Sequence, residues 1–449
     1  MPLPNSIEFS NRSLRSLIVP LVVEQLLNIT VGLADSLMVA RVGEAAVSAV
    51  SLVDAVNVLL VQAFAALATG GAVVAGQYLG RRQTERACCA AQQLFLFMGE
   101  LSLAVTVLLY ALKPFILHVV FGAIAPDVAG YADTYFVITE ASTFFLALYS
   151  AGAALFRVMG NARISMEVSL VMNAVNVTGN GILIFGFHRG VGGVAVPTLI
   201  SRIVAAAAMT VLLRRRDLTV HLETPFRFHH DRMMIRNILR IGVPNGVEGS
   251  MFQLGKILLL SVATVFGTAS VAANAIGNTV CNFQCLAPSS IGLGMVTVVS
   301  RCVGAGDYEK ARFYTRKLVK WGYASMALAN LLTSVLLPVI LLAYGLSDTA
   351  DAYARVIVWS HAAMGTFLWP LAFELPQALR AAGDTRFTMT VSTISMWTCR
   401  VVLGVVFART LGFGVLGIWY SMYLDWVVRD VFFVLRYRGR RWETMALRD

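Results

Sequence analysis

The feature that most constrains this chain is its first long apolar segment, LIVPLVVEQLLNITVGLADSLMVA, from Leu17 to Ala40. A helix of ~20 such residues crosses a bilayer, yet this one carries Glu24 and Asp35. An acid at membrane depth costs roughly 2.5–3.5 kcal/mol on insertion scales, so its presence points to function. The two acids are close to three whole turns apart at ~3.6 residues per turn and share one face. Asn28 lies on that face too. A polar stripe in lipid must look at protein or water, so the stripe reads as one wall of a transport cavity.

The rest of the chain has the same character. It is 57% hydrophobic and 14% charged over 449 residues, with mean hydropathy +0.72. Soluble domains run about 45–50% apolar and about 25% charged. The excess falls in blocks too long for the ~10-residue alternation of a barrel. The expected fold is therefore an all-α polytopic membrane protein with twelve transmembrane helices. The spans are placed near 16–40, 47–76, 88–112, 134–156, 165–187, 192–213, 240–266, 271–300, 318–344, 353–378, 388–409 and 413–435. The first block is too long for a signal h-region and lacks a small-residue cleavage site, so no cleaved leader is expected.

A net charge of +11 invites a nucleic-acid reading, but its distribution argues against one. Basic residues crowd alternate loops: Arg81, Arg82 and Arg86; Arg157 and Arg163; Arg214 to Arg216 with Arg227, Arg232 and Arg236; Lys310 to Lys317; Arg380 and Arg386; and Arg436 to Arg441. The opposite loops hold little beyond Arg41, Lys113, Arg189, Arg355 and Arg409. The positive-inside rule then places both termini in the cytoplasm of a multi-pass plasma-membrane or inner-membrane protein. Six cysteines set no disulfide framework; Cys88 and Cys89 open a cytoplasmic helix, where thiols stay reduced.

The second half repeats the first. A shift of 224 residues takes Pro20 to Pro244, Glu24 to Glu248, Gly43 to Gly267, Gly70 to Gly294 and Gly80 to Gly304. A shift of 223 takes Arg157, Gly160 and Arg163 to Arg380, Gly383 and Arg386. The expected organisation is two pseudo-symmetric six-helix bundles, residues 1–213 and 240–449, joined by a basic cytoplasmic linker, residues 214–239. An even number of spans returns the chain to one side, so the copies are parallel. Such pairs are expected to hold substrate between the halves near the midplane and to open by rocking.

LADSLMVARVGEAAVSAVSL resembles the acid-bearing first-helix signature of the multidrug and toxic compound extrusion (MATE) transporters. GGAVVAGQYLG, its copy TVVSRCVGAGD, and LRAAGDTR resemble further signatures of that family. The resemblance implies efflux of drugs or organic cationic metabolites, driven by inward flow of H+ or Na+, with no cofactor. By that resemblance Asp35 matches the coupling-ion acid, and Asn176 and Thr198 match polar residues of the fifth and sixth helices. Asn180 falls where one proton-coupled branch has Asp, which leaves Asp35 without its usual acidic partner. Glu374 lies near the sodium branch's acids but out of their register. The coupling ion stays open.

Glu24 joins the coupling-ion candidates Asp35, Asn176, Asn180 and Thr198. At 1.5 Å per residue, Asp35 lies ~9 Å below the outer rim at Arg41 and Glu24 ~16 Å deeper. The substrate-binding candidates are Asn28, Asn173, Glu248, Gln253 and Lys256. Glu24 and Glu248 each follow a helix proline by four residues, so satisfying a kinked backbone is the competing role. Lys256, deep in helix 7, is expected to neutralise Glu248 or Asp35, to bind an anionic group, or to snorkel. Phe252, Phe283, Trp369 and Phe373 are candidates to stack on a flat cation, with plain packing the competing role. Asp54 reads as a wet helix end, and Arg202, Arg400 and Asp425 as structural pairs. Pro288, Pro370 and Pro376 are expected to let the second bundle bend more.

Two other classes compete. A lipid-linked oligosaccharide flippase of the wider superfamily is expected to have extra spans and a strongly cationic cavity. An enzyme is not expected. His229-His230-Asp231 lacks i, i+4 ligand spacing for a metal, and no P-loop or nucleophile elbow appears. The expected partners are a small-molecule substrate and the bilayer, with no nucleic acid and a monomeric form.

Overall fold

The computed structural model describes residues 7–122, 124–223 and 228–447. Arg227, counted among the linker's basic residues, lies outside them. The first repeat comprises α1 (Asn11–Ala40), α2 (Glu44–Gly80), α3 (Thr84–Val120), α4 (Pro126–Ala141 and Thr143–Val158), α5 (Ala162–Gly186) and α6 (Gly192–Leu213). The second comprises α7 (Arg232–Thr264), α8 (Thr268–Gly304), α9 (Tyr308–Tyr344), α10 (Asp348–Ala381), α11 (Thr385–Thr410) and α12 (Val415–Arg438). Among the described residues, nine of these helices are long and apolar enough to cross a membrane, or ten with the bent α4. The other two carry charges in mid-span, Glu248 and Lys256 in α7 and Asp425, Arg429 and Asp430 in α12.

The lipid environment is written on the helix surfaces. On α9, Leu331, Val335, Val339 and Leu342 are 62–82% exposed in a continuous row. Such a stripe is a liability in water and ordinary against acyl chains.

Local chemistry sets the helix ends. Ser10 caps α1 through Ser13 N–H, and Asp307 caps α9 through Lys310 N–H. The turns before α2 and α8 use Gly43 and Gly267 at φ 136° and 89°, and those before α5 and α11 use Gly160 and Gly383 at 87° and 95°. These left-handed conformations favour glycine, which is why the repeat is so clear at these positions.

Two boundaries differ from expectation. The supposed outer loop at 113–133 is largely helical, because α3 runs on through a π turn to Val120 and Pro126 opens α4. Proline suits a first helical turn, where its missing N–H is not needed. Helix α4 then bends by 43° at Ser142. The linker is also shorter than 214–239, because α7 begins at Arg232. Asp231 Oδ1 accepts from the N–H groups of Met233 (2.9 Å) and Met234 (3.1 Å) there.

The chain divides into two compact units, Ser10–Gly246 and Val247–Asp449, the latter taking in Phe9, whose N–H donates to Tyr314 Oη. In the first unit, α2 and the start of α7 approach closely: a Cβ on Gly70 would meet Gly242 N at 2.8 Å. One core cluster of this unit gathers Val39, Val53, Leu117, Phe136 and Val194. A core cluster of the second unit is more aromatic, with Trp369, Trp419, Tyr423 and Trp426 packed on Ile276 and Ile357.

Candidate functional site

The polar stripe of α1 does lie on one face, and α5 engages it along its length. Glu24 accepts from Ser165 Oγ at 3.0 Å and from Tyr149 Oη at 3.5 Å, and Arg157 Nη1 stands 3.7 Å away. One stage higher, Asn28 Oδ1 accepts from Ser169 Oγ and from Asn173 Nδ2, both at 3.4 Å. At the top, Asp35 Oδ1 accepts from Asn180 Nδ2 at 2.7 Å. The hydrogen-bond network orients Asn176 with its amide nitrogen on the same carboxylate, 3.0 Å from Oδ1 and 3.3 Å from Oδ2. Its oxygen then accepts from Thr198 Oγ1 at 3.1 Å. Asn176 and Asn180 are buried, while Asp35 is half-buried.

This arrangement sorts the carboxylates. Among the described residues Asp35 has no ion-pair partner and is held by neutral amides. Glu24 is 4% exposed and faces an arginine. Glu248, its copy, pairs with Arg380 at 2.6 Å. The expectation that Lys256 neutralises Glu248 is therefore corrected: Arg380, in the last turn of α10, takes that role. Both Glu–Arg pairs join positions more than a hundred residues apart, and both members recur in the repeat. That recurrence was the available signal for the pairing.

Sequence reasoning also misplaced Asp54. It lies inside α2, not at a wet end, and its Oδ1 accepts from Tyr135 Oη at 3.2 Å and Asn57 Nδ2 at 3.4 Å. It is close enough to act electrostatically on Asp35, with Arg202 nearby in turn. Asp35 thus has an acidic neighbour on α2, although α5 offers Asn180 in place of an acid. Arg202 Nη1 donates to Ser142 Oγ at 2.6 Å, at the bend of α4.

In the second unit, Gln253 and Lys256 are partly exposed on α7. Glu374 is 1% exposed and neither of its oxygens has a hydrogen-bond partner among the described residues. Asp425 pairs with Arg429 at 2.8 Å and accepts from Ser395 Oγ. Three of the four aromatic candidates are already occupied: Trp369 stacks on Phe373, and the Arg400 and Arg429 guanidiniums lie over Phe252 and Phe373. The histidine pair has structural partners, with His230 Nε2 2.9 Å from Glu100 and Asp231 capping α7. Among the described residues no group of three or more His, Cys, Asp or Glu is arranged to hold a metal.

Two six-helix repeats of membrane-spanning helices, with an amide-held carboxylate on the opening helix, define a polytopic transporter architecture. A sequence model of the MatE family matches residues 20–182 and again 244–406, one match in each repeat. The chain belongs to the MatE family. It is 28% identical to the uncharacterized transporter YisQ of Bacillus subtilis over 96% of this chain and 94% of that one. It is 23% identical to the probable multidrug resistance protein NorM of Thermotoga maritima over 97% and 94%. An outward-facing multidrug resistance MATE transporter superposes with TM-score 0.88 over 95% of both chains at 20% identity, a likeness of fold.

Proposed function

We propose that this chain is an efflux antiporter that expels small organic molecules by alternating access, coupled to inward movement of H+ or Na+ at Asp35. The observation that carries the reading is the contrast among the acids of α1 and its copy α7. Glu24 and Glu248 each face an arginine. Asp35 is half-buried, bound by Asn180 and Asn176, and has no cation among the described residues to neutralise it. A carboxylate in that condition is completed by an external cation, and losing that cation on the other side of the membrane supplies the coupling step.

Asn180, Asn176 and Thr198 position and polarise that carboxylate, so they belong to the coupling-ion site. Asn28 and Asn173 continue the polar face below it. The relatives' names, multidrug resistance protein NorM among them, support drugs or organic metabolites as cargo. Both termini are assigned to the cytoplasm of a plasma-membrane protein by the charge bias of the loops. A monomer is the working form in this proposal, and no cofactor enters it.

The test is dye efflux from proteoliposomes, with a pH gradient and a sodium gradient imposed separately. Efflux under one of them and none without a gradient is expected. Equal efflux with and without either gradient would remove the antiport reading.

A further inference from the structure

The second unit carries a cavity of opposite character at the position where the first unit holds its carboxylate. The register follows from contacts. Asp35 meets Asn180 between α1 and α5. A shift of 224 residues takes these to Leu259 and Gly404, and a Cβ on Gly404 would meet Leu259 Cδ2 at 3.1 Å. The two family matches are offset by the same amount. The turns before α5 and α11 align Gly160 with Gly383, one residue differently. The extra residue is absorbed in a wide π turn at Met396–Val402, whereas the corresponding stretch of α5 is regular α-helix. Arg400 sits on that turn and stands, in the register beyond it, where Asn176 stands in the first unit. Inserted π turns of this kind are frequent at functional sites.

The acid and its amides have thus been replaced by Leu259, Gly404 and a guanidinium, with Lys256 one turn before Leu259. Lys256 and Arg400 line one cavity of about 40 Å³ together with Asn274, Asn278 and Trp419. Trp419 Nε1 donates to Asn274 Oδ1 at 3.1 Å, which fixes that wall. Among the described residues Lys256 makes no hydrogen bond or ion pair, and the charged group acting on it is Arg400, a second cation. Arg400 lies over the Phe252 ring at 5.3 Å, and its Nε is buried without a partner. The acid acting on Arg400 is Asp425, already held by Arg429 at 2.8 Å and Ser395. Two cations therefore share a small cavity, walled on its other sides by Leu259, Leu260, Ile418 and Met422, with no carboxylate to themselves among the described residues. Partly buried charges of one sign are stabilised by a counter-charge. The volume exceeds the ~10–15 Å³ one water needs, which suits a single carboxylate or phosphate group and not a whole drug.

We propose that Lys256 and Arg400 form an anion subsite that takes a carboxylate or phosphate group. Assigning that group to a transported solute rests on the efflux reading above; the subsite itself does not. A lipid headgroup presents the same chemistry.

The test uses the purified full-length chain in neutral detergent, with inorganic phosphate titrated by calorimetry against chloride at matched ionic strength. Native mass spectrometry in parallel compares retained phosphatidylglycerol with phosphatidylcholine. Saturable phosphate binding is expected, weakened about tenfold or more in Lys256→Gln and largely kept in Lys256→Arg, as loss of one charge-assisted hydrogen bond implies. Arg400→Lys is expected to fold, to keep a cation, and to weaken binding less than Lys256→Gln. Retention of phosphatidylglycerol that Lys256→Gln removes, without phosphate binding, supports the same subsite with a lipid occupant. No anion bound by the wild type, or equal binding by wild type and Lys256→Gln, overturns the proposal. Asp35→Asn is expected to keep anion binding, so failure of the coupling assignment and failure of this subsite read out separately.

Discussion

Replacing Arg380 with Met tests whether the Glu–Arg pairs are structural clamps. Arg380 Nη2 lies 2.6 Å from Glu248 Oε1, with the side chains 13% and 11% exposed. Neither Arg380 Nε nor Glu248 Oε2 has a hydrogen-bond partner among the described residues, so the mutation strands a buried carboxylate. Breaking a buried pair from one side costs about 3–5 kcal/mol, whereas replacing both partners with apolar groups is neutral to stabilising. A shift of ~2–4 °C per kcal/mol applies to proteins of about 150–250 residues and less to longer ones, so the expected fall in apparent Tm is roughly 5–10 °C. The equivalent change at Arg157 is expected to cost less. That contact is looser at 3.7 Å, and Ser165 and Tyr149 still donate to Glu24. The assay is thermal unfolding of purified Arg380→Met, Glu248→Met, the double variant and Arg157→Met. Recovery of most of the loss in the double variant is the prediction. A double variant as unstable as the sum of the singles would refute the clamp, as would an Arg380→Met protein as stable as wild type.

Further outcomes follow from the packing. Gly70→Ala sets a Cβ 2.8 Å from backbone atoms of Gly242 and Ile238; neither can swing aside, so apparent Tm and membrane yield should fall while the neighbouring Ala72→Gly loses little. Gly322→Ala would drive its Cβ into the Glu374 carboxylate, and pairing it with Glu374→Ala should restore stability. Trp442 is 1% exposed, stacks on Tyr437 at 5.6 Å and donates to Tyr437 O at 3.0 Å. Trp442→Ala should cost about 3–5 kcal/mol and speed proteolysis of the C-terminal tail.

The 3.6-residue period made the α1 stripe legible, because Glu24, Asn28 and Asp35 need only helical geometry to share a face. The repeat was legible at Pro20, Gly43, Gly70 and their copies, where backbone constraints restrict the residue type. Pairings across the fold were not. Glu248 finds Arg380 only through tertiary packing, and periodicity within one helix holds no information about it. The same holds for Asp54, whose partner Tyr135 comes from another helix and leaves no mark in the pattern of α2. The π turn at Met396–Val402 leaves its trace in the return of the shift from 223 at Gly160 to 224 at the end of the family match. A one-residue offset between repeats looks like an alignment gap until a helix is seen to widen there. Without it Arg400 could not be matched with Asn176.

The central claim is that Asp35 couples ion entry to export. It is tested most directly by gradient-driven dye efflux with wild type and Asp35→Asn reconstituted at equal protein. Asn keeps the shape and a hydrogen bond to the α5 amides but carries no charge for a cation to neutralise, so efflux is expected to fall to the protein-free background at normal folding and yield. Efflux by Asp35→Asn at the wild-type rate would contradict the account.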